Sequence, residues 1–150
     1  MSAQKRVLPP VYVLITLLVM VGLNLLLPVA RIVARPYSYA GAVLIVLGVA
    51  MNVWASGYFN KVKTPVKPFE QSTRLVTVGL YRYTRNPMYL GLLLILAGIA
   101  VLLGNLTPFL VIGVLAWLLK REFIRVEEAA LEATFGEDYA EYKKQVRRWI

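Results

Sequence analysis

The sequence predicts an all-α protein: a polytopic membrane bundle of about four transmembrane helices, with a tight hairpin and amphipathic cytoplasmic helices at its C-terminal end. Three observations carry this expectation. Hydrophobic residues make up 59% of the 150 residues and mean hydropathy is +0.63, against roughly 45–50% apolar residues in soluble domains. Long runs are free of charge. The charged residues that separate those runs fall into clusters whose sign is strongly biased.

The first two runs lie between Arg6 and Arg31 and between Arg35 and Lys61. Each exceeds the roughly 20 residues needed to cross a hydrocarbon core, which predicts spans over 10–30 and 39–59. Lys5, Arg6 and the PVA at Pro28–Ala30 give the first run some likeness to a signal segment. Its length and the apolar chain that follows argue against cleavage. The third run, 86–119, is too long for one span and short for two. Gly104-Asn105-Leu106-Thr107-Pro108 breaks it, with glycine ending one helix and proline opening the next. The first arm, 87–103, just spans at 1.5 Å per residue, and the second falls short. The expectation is a hairpin whose last helix runs on past the membrane, with Lys120 reaching to the interface. A re-entrant hairpin is the competing reading, disfavoured because irregular backbone facing lipid is costly.

Four spans put the N-terminus, the 61–85 loop and the C-terminal segment on one side. Of the 17 Lys and Arg residues, all but Arg31 and Arg35 lie there, and the positive-inside rule makes that side cytoplasmic. This explains the net charge of +9 without a nucleic-acid partner. There is no cysteine and no histidine, which excludes disulfides, zinc sites built on either residue, thiol nucleophiles and a Ser-His-Asp arrangement. No metal site is expected. Chemistry would have to run on carboxylates, tyrosines, arginines, amides and a bound cofactor.

Past the hairpin, a helical projection puts Phe123, Ile124, Val126, Ala130, Leu131 and Phe135 on one arc, with Glu122, Arg125 and Glu132 opposite. Glu127 falls near the centre of the apolar arc, where a carboxylate costs several kcal/mol unless paired, so a cationic partner is expected. Glu128 falls at the rim, where an ordinary solvated face accounts for it. Gly136 is placed to end this helix, and Glu137 and Asp138 to begin the next. Tyr139, Tyr142 and Val146 share a face there, either as packing or as ligand contacts. Upstream, Arg85-Asn86-Pro87 reads as a helix start with Asn86 as cap, and such an N-terminus suits a carboxylate or phosphate. Tyr81, Tyr83 and Tyr89 suit a membrane interface. So many arginine, amide and aromatic groups exceed what anchoring requires.

The run LVTVGLYRYTRNPMYLG, Leu75 to Gly91, followed by REFIRVEEAALEATFGEDYAEYKKQVRRWI, resembles the isoprenylcysteine carboxyl methyltransferase family and equally the related membrane phospholipid methyltransferases. The preceding KTPVKP is similar to a turn in bacterial members. The likeness covers roughly residues 61–150. It implies one integral membrane domain over 1–150, with two N-terminal spans in 1–60 and a cofactor-binding core in 61–150. It implies a bacterial inner-membrane protein with N-terminus, active site and C-terminus cytoplasmic, using S-adenosylmethionine on a lipidic or amphiphilic acceptor. The cofactor would lie along Thr73, Arg74, Leu75, Val76, Tyr81 and Asn86, Pro87, Met88 and Tyr89. Its acidic contact would be Glu127 or Glu128; the helical projection prefers Glu127. Arg85 would suit its carboxylate end. Arg125 or Arg121 would face the substrate. An amine acceptor would have to lose a proton, for which Glu128 or Tyr89 is the nearest candidate. The prenylcysteine enzymes carry histidine where this chain has Asn86, which leaves the acceptor open. Entry between the third and fourth spans would use Gly91, Gly98 and Gly113, although ordinary helix packing is the favoured explanation of these glycines. Two other classes fit less well: an NADPH-dependent enzyme like the membrane sterol reductases, and a non-enzymatic membrane protein, whose transport variant lacks ionisable groups in its spans.

Overall fold

The computed structural model describes residues 8–65, 70 and 72–150. Lys5, Arg6 and the VKP part of KTPVKP (66–68) lie outside the described residues. The described chain is helical, with one isolated bridge, Arg31 to Asn105, outside its helices. Helix α1 covers Pro9–Leu26, and α2 covers Ala40–Lys61 after a short turn at Tyr37–Tyr39. A loop with a 3-10 turn at Gly79–Arg82 leads to α3, Pro87–Leu103, and α4, Leu106–Leu119. A π-helical turn at Lys120–Ile124 joins α4 directly to α5, Arg125–Phe135, and α6 covers Glu137–Gln145.

By length and composition, Pro9–Leu26 and Tyr37–Lys61 are long and apolar enough to cross a membrane. Only 17% and 11% of their best windows are buried, the reverse of a soluble core helix, so the chain carries an apolar surface suited to a membrane. Helix α3 is as apolar but has 17 residues. Helix α1 stops four residues before the expected boundary, because Pro28 follows Leu27 and disfavours helical backbone there. The freed carbonyls are taken up elsewhere. Thr107 Oγ1 donates to Leu27 O (2.9 Å) and Leu106 N to Ala30 O (2.9 Å).

That contact belongs to a dense join at the hairpin end. Gly104 ends α3 in the left-handed conformation (φ 79°), which glycine adopts without strain. Its carbonyl accepts from Ile32 N and Val33 N. Asn105 Nδ2 donates to Asn24 Oδ1 at 2.6 Å, so two of the polar residues in the spans meet each other. Helix α4 begins at Leu106 rather than at Pro108, which sits within the first turn, where no N–H is needed.

Helix α3 lies against α2 at backbone distance. A Cβ on Gly98 would come within 2.4 Å of Gly41 O, and one on Gly91 within 2.8 Å of Gly48 O. These glycines therefore serve α2–α3 packing and not the α3–α4 groove, whereas Gly113 faces open space. Met20, Tyr89, Leu96, Ala100, Leu115, Leu119, Phe123 and Ile124 form the main core.

The π turn alters the phase of the helix beyond it. Leu115, Leu119 and Phe123 are buried, as four-residue spacing requires, but Ile124 is buried beside Phe123 and the line resumes one residue late, at Glu128. One added residue rotates α5 by about 100° relative to a continuous α-helix. Val126 is left partly exposed at the cavity wall and Glu128 is turned inward.

Candidate active site

The loop before α3, the start of α3, and helices α5 and α6 enclose a cavity of about 410 Å³, within the range of small-molecule sites. Arg74, Leu75, Val76, Tyr81, Arg85, Asn86, Pro87, Met88, Tyr89, Glu127 and Glu128 all line it. Thr73 does not. It is tied to the end of α2, with its N–H donating to Thr64 Oγ1 at 3.0 Å and its hydroxyl to the same atom at 3.1 Å. Arg125 is exposed on α5 and outside the lining. Arg121 is also exposed, beside Glu122 (3.2 Å) and over the Trp117 ring. The structure brings neither arginine to the cavity.

The two adjacent carboxylates differ from the helical projection in instructive ways. Among the described residues Glu127 meets no cation: the Tyr89 hydroxyl donates to its Oε1 at 2.5 Å. Burial pushes its carboxyl up to about 7, offset by the Tyr89 hydrogen bond and reinforced by the nearby Glu128 charge. Glu128, expected at a solvated rim, is the buried one at 8% exposure. Arg148 grips it through Nε to Oε1 (3.0 Å) and Nη2 to Oε2 (2.6 Å). Arg85 Nη1 adds a contact to Oε1 at 3.2 Å. Such forked pairing is the strong form of a buried ion pair. These hydrogen bonds to Glu128 raise the Arg148 guanidinium above its usual range.

Of the two arginines that line the cavity, Arg74 is exposed and Arg85 is largely buried in the wall. Its side chain is 10% exposed. Nη1 also donates to the Tyr139 hydroxyl at 3.4 Å, and Nε is buried without a partner among the described residues. Asn86 occupies the cap position of α3 without a side-chain capping bond. Its Nδ2 donates instead to Arg148 O at 3.0 Å, which fixes the loop and not the helix end.

Tyr142 donates to the carbonyl of Tyr81 at 2.7 Å. Tyr139, Tyr142 and Val146 pack against Leu75, Leu131 and Phe135. The shared face thus packs, and its two tyrosines also line the cavity. Burial, aided by neighbouring phenol and carboxylate groups, raises Tyr81 and Tyr142 well above the usual phenol range, so both remain neutral donors. Asn52 of α2 lines the cavity as well, its Nδ2 returned to Gly48 O at 2.9 Å. Sequence reasoning missed Arg148 and Asn52 as site residues. Asn52 had one available signal, a strong polar group inside an apolar span. Arg148 had none beyond its charge.

An all-helical bundle with an apolar exterior and a cavity at the ends of its helices defines the class: a membrane-type protein built around a small-molecule site. The family model described as phospholipid methyltransferase matches residues 37–138, and the chain belongs to that family. The protein-S-isoprenylcysteine O-methyltransferase of Schizosaccharomyces pombe is 39% identical over 72 residues, 48% of this chain and 30% of that protein. The enzyme of the same name from Xenopus laevis is 34% identical over 115 residues, 73% of this chain and 38% of that protein. An uncharacterized Haemophilus influenzae protein is 41% identical over 63 residues, 42% of this chain and all of its own length. The chain spans between 30% and 58% of the length of the isoprenylcysteine relatives it matches. No solved structure matches it. These relatives give an NADPH-dependent reductase no support.

Proposed function

We propose that the chain is an S-adenosylmethionine-dependent methyltransferase acting on a lipidic or amphiphilic acceptor at the cytoplasmic face of a bacterial inner membrane. The observation that carries the reading is a pair of groups in one cavity that are unmatched among the described residues: a carboxylate without a cation, Glu127, and an arginine with a buried unpartnered nitrogen, Arg85. They suit a ligand bearing both a cation and a carboxylate, and the apolar walls between them suit a nucleoside. The donor set therefore fits S-adenosylmethionine.

Arg85 would hold the amino-acid carboxylate, helped by the open N–H groups at the start of α3. Glu127 would face the positive sulfur. Leu75, Val76, Tyr81 and Met88 would seat the adenosine. When bound, the cofactor supplies a methyl group made electrophilic by its sulfonium. The residues then chiefly position the two reactants, in a low-dielectric pocket that strengthens each charge contact. A carboxylate or thiolate acceptor needs no base. For an amine, Tyr89 and Glu127 are the candidates, because both oxygens of Glu128 are engaged. Prenylcysteine, an amino-phospholipid, another lipid and a hydrophobic thiol or acid all satisfy these requirements. In this reading α3 and α4 complete a four-span bundle, and all of 1–150 serves as one domain.

Calorimetric titration of the detergent-purified protein with S-adenosylhomocysteine, with NADPH in parallel, tests the proposal. Saturable binding of S-adenosylhomocysteine alone is expected. Binding of NADPH alone, or of neither ligand to folded protein, overturns it.

A further inference from the structure

The cavity wall is tied together by a segment beyond the last helix. After α6 ends at Gln145, the chain turns extended and crosses the loop before α3. Arg147 O accepts from Arg85 N at 3.0 Å. Arg148 O accepts from Thr84 Oγ1 at 3.2 Å and Asn86 Nδ2 at 3.0 Å. Trp149 packs against the main core beyond. Three consecutive loop residues are thus fastened to two consecutive tail residues. The Arg148 side chain turns the other way, onto Glu128 of α5. One residue therefore links the 84–86 loop, through its carbonyl, to α5, through its guanidinium.

Arg85 is affected because it shares Glu128 with Arg148. The carboxylate has two oxygens, and Arg148 engages both, leaving Arg85 a single contact through Nη1. Without Arg148, Arg85 would be the remaining cation at a buried carboxylate and would be drawn onto it as a fork. Its free Nε would then be committed to Glu128 and not to a ligand. Tyr139, which receives the other Arg85 contact, would lose its partner in the same movement.

We propose that Arg148 is a positioning residue for the cofactor's carboxylate: by occupying Glu128 it keeps Arg85 available to the cavity. The proposal rests on the methyltransferase reading above. Arg148 itself touches no ligand in it, and it lies beyond residues 37–138 that match the family model.

The test compares two probes on the full chain in detergent. S-adenosylhomocysteine carries the amino-acid arm with its carboxylate, and 5′-methylthioadenosine lacks that arm. Arg148→Ala is expected to weaken S-adenosylhomocysteine by tenfold or more and to leave methylthioadenosine within about twofold. Arg148→Lys, which keeps a point charge without the fork, should restore part of the loss. Unchanged S-adenosylhomocysteine affinity in Arg148→Ala overturns the proposal. So does an equal loss for both probes, which would make the tail a structural clasp only. Should Arg148→Ala not fold, Arg148→Lys carries the same comparison, with a smaller but still arm-specific loss expected and an arm-independent one overturning the idea. Wild-type protein that binds neither probe sinks the methyltransferase reading and this proposal together, whereas wild-type binding with an unaffected variant sinks this proposal alone.

Discussion

The two ends of the α3–α4 region use polar groups in opposite ways. At the hairpin end they pair with one another: Asn105 with Asn24, Thr107 with Leu27, and the Gly104 carbonyl with two backbone N–H groups. At the cavity end, among the described residues, Glu127 meets a neutral hydroxyl and no cation, and Arg85 keeps a buried nitrogen without a partner. A buried polar group left unmatched costs roughly 1–3 kcal/mol, and more when charged. An arrangement that costs stability at one end and satisfies every named group at the other separates the site from its scaffold.

The largest expected effect breaks the site end. In Glu127→Gln the amide carbonyl can still accept from Tyr89, so the fold should survive and detergent extraction should be unchanged. Affinity for S-adenosylmethionine should fall by about thirtyfold, or roughly 2 kcal/mol, the scale of a desolvated charge contact. S-adenosylhomocysteine, which lacks the sulfonium, should lose much less. Calorimetry with both ligands decides the matter, and equal affinities in variant and wild type would remove Glu127 from the site.

How much of this was legible in the sequence depends on whether the signal was local. Helix ends set by Gly104, Gly136 and Pro87 follow from one or two residues and were readable. The loop and α3 residues that line the cavity were readable too, because Arg85 to Tyr89 concentrate their chemistry in five positions. The π turn was not. It changes the phase of α5 by one residue, which carried Glu128 onto the buried, cation-paired side and left Glu127 at the cavity, since a projection assumes uniform winding. The partner of Glu128 was hidden for a different reason: Arg148 lies twenty residues away, past a helix end, and only the path of the tail brings it back. Arg125 stood close in sequence to the acidic pair, but α5 carries it to the exposed side. Thr73 stood beside lining residues but pairs with Thr64.

A second, smaller effect sharpens the comparison through pH. The folded Glu127 carboxyl titrates near 7, above its ordinary 4.5, so folding favours its protonated form. The stability this contributes is complete below about 4.5 and is lost as pH rises through about 7. Sulfonium binding needs the ionised form and must run the other way. The ratio of S-adenosylmethionine to S-adenosylhomocysteine affinity should therefore rise up to about tenfold between roughly pH 6 and 8, as the ionised fraction grows. Binding of the sulfonium below pH 7 should release a proton, detectable by calorimetry in buffers of different ionisation enthalpy. A flat ratio in wild type, or a slope that persists in Glu127→Gln, would assign the titration to another group.

The smallest expected effect concerns the hairpin end. Hydrogen bonds between side chains of membrane helices contribute about 0.6 kcal/mol on average and up to roughly 1.7, and Asn105→Ala leaves Asn24 without its 2.6 Å partner. The variant should lower the thermal midpoint in detergent by a few degrees. Because Asn105 and the cavity lie at opposite ends of α3, S-adenosylhomocysteine affinity should not move. Asn24→Ala should behave alike, and the double variant should lose little more than either alone, since both remove the same bond. If affinity fell along with stability, the hairpin would be transmitting strain along α3 to the Asn86 end. The two ends would then be one coupled unit, and the unmatched groups of the cavity would owe their geometry to the hairpin as much as to the tail.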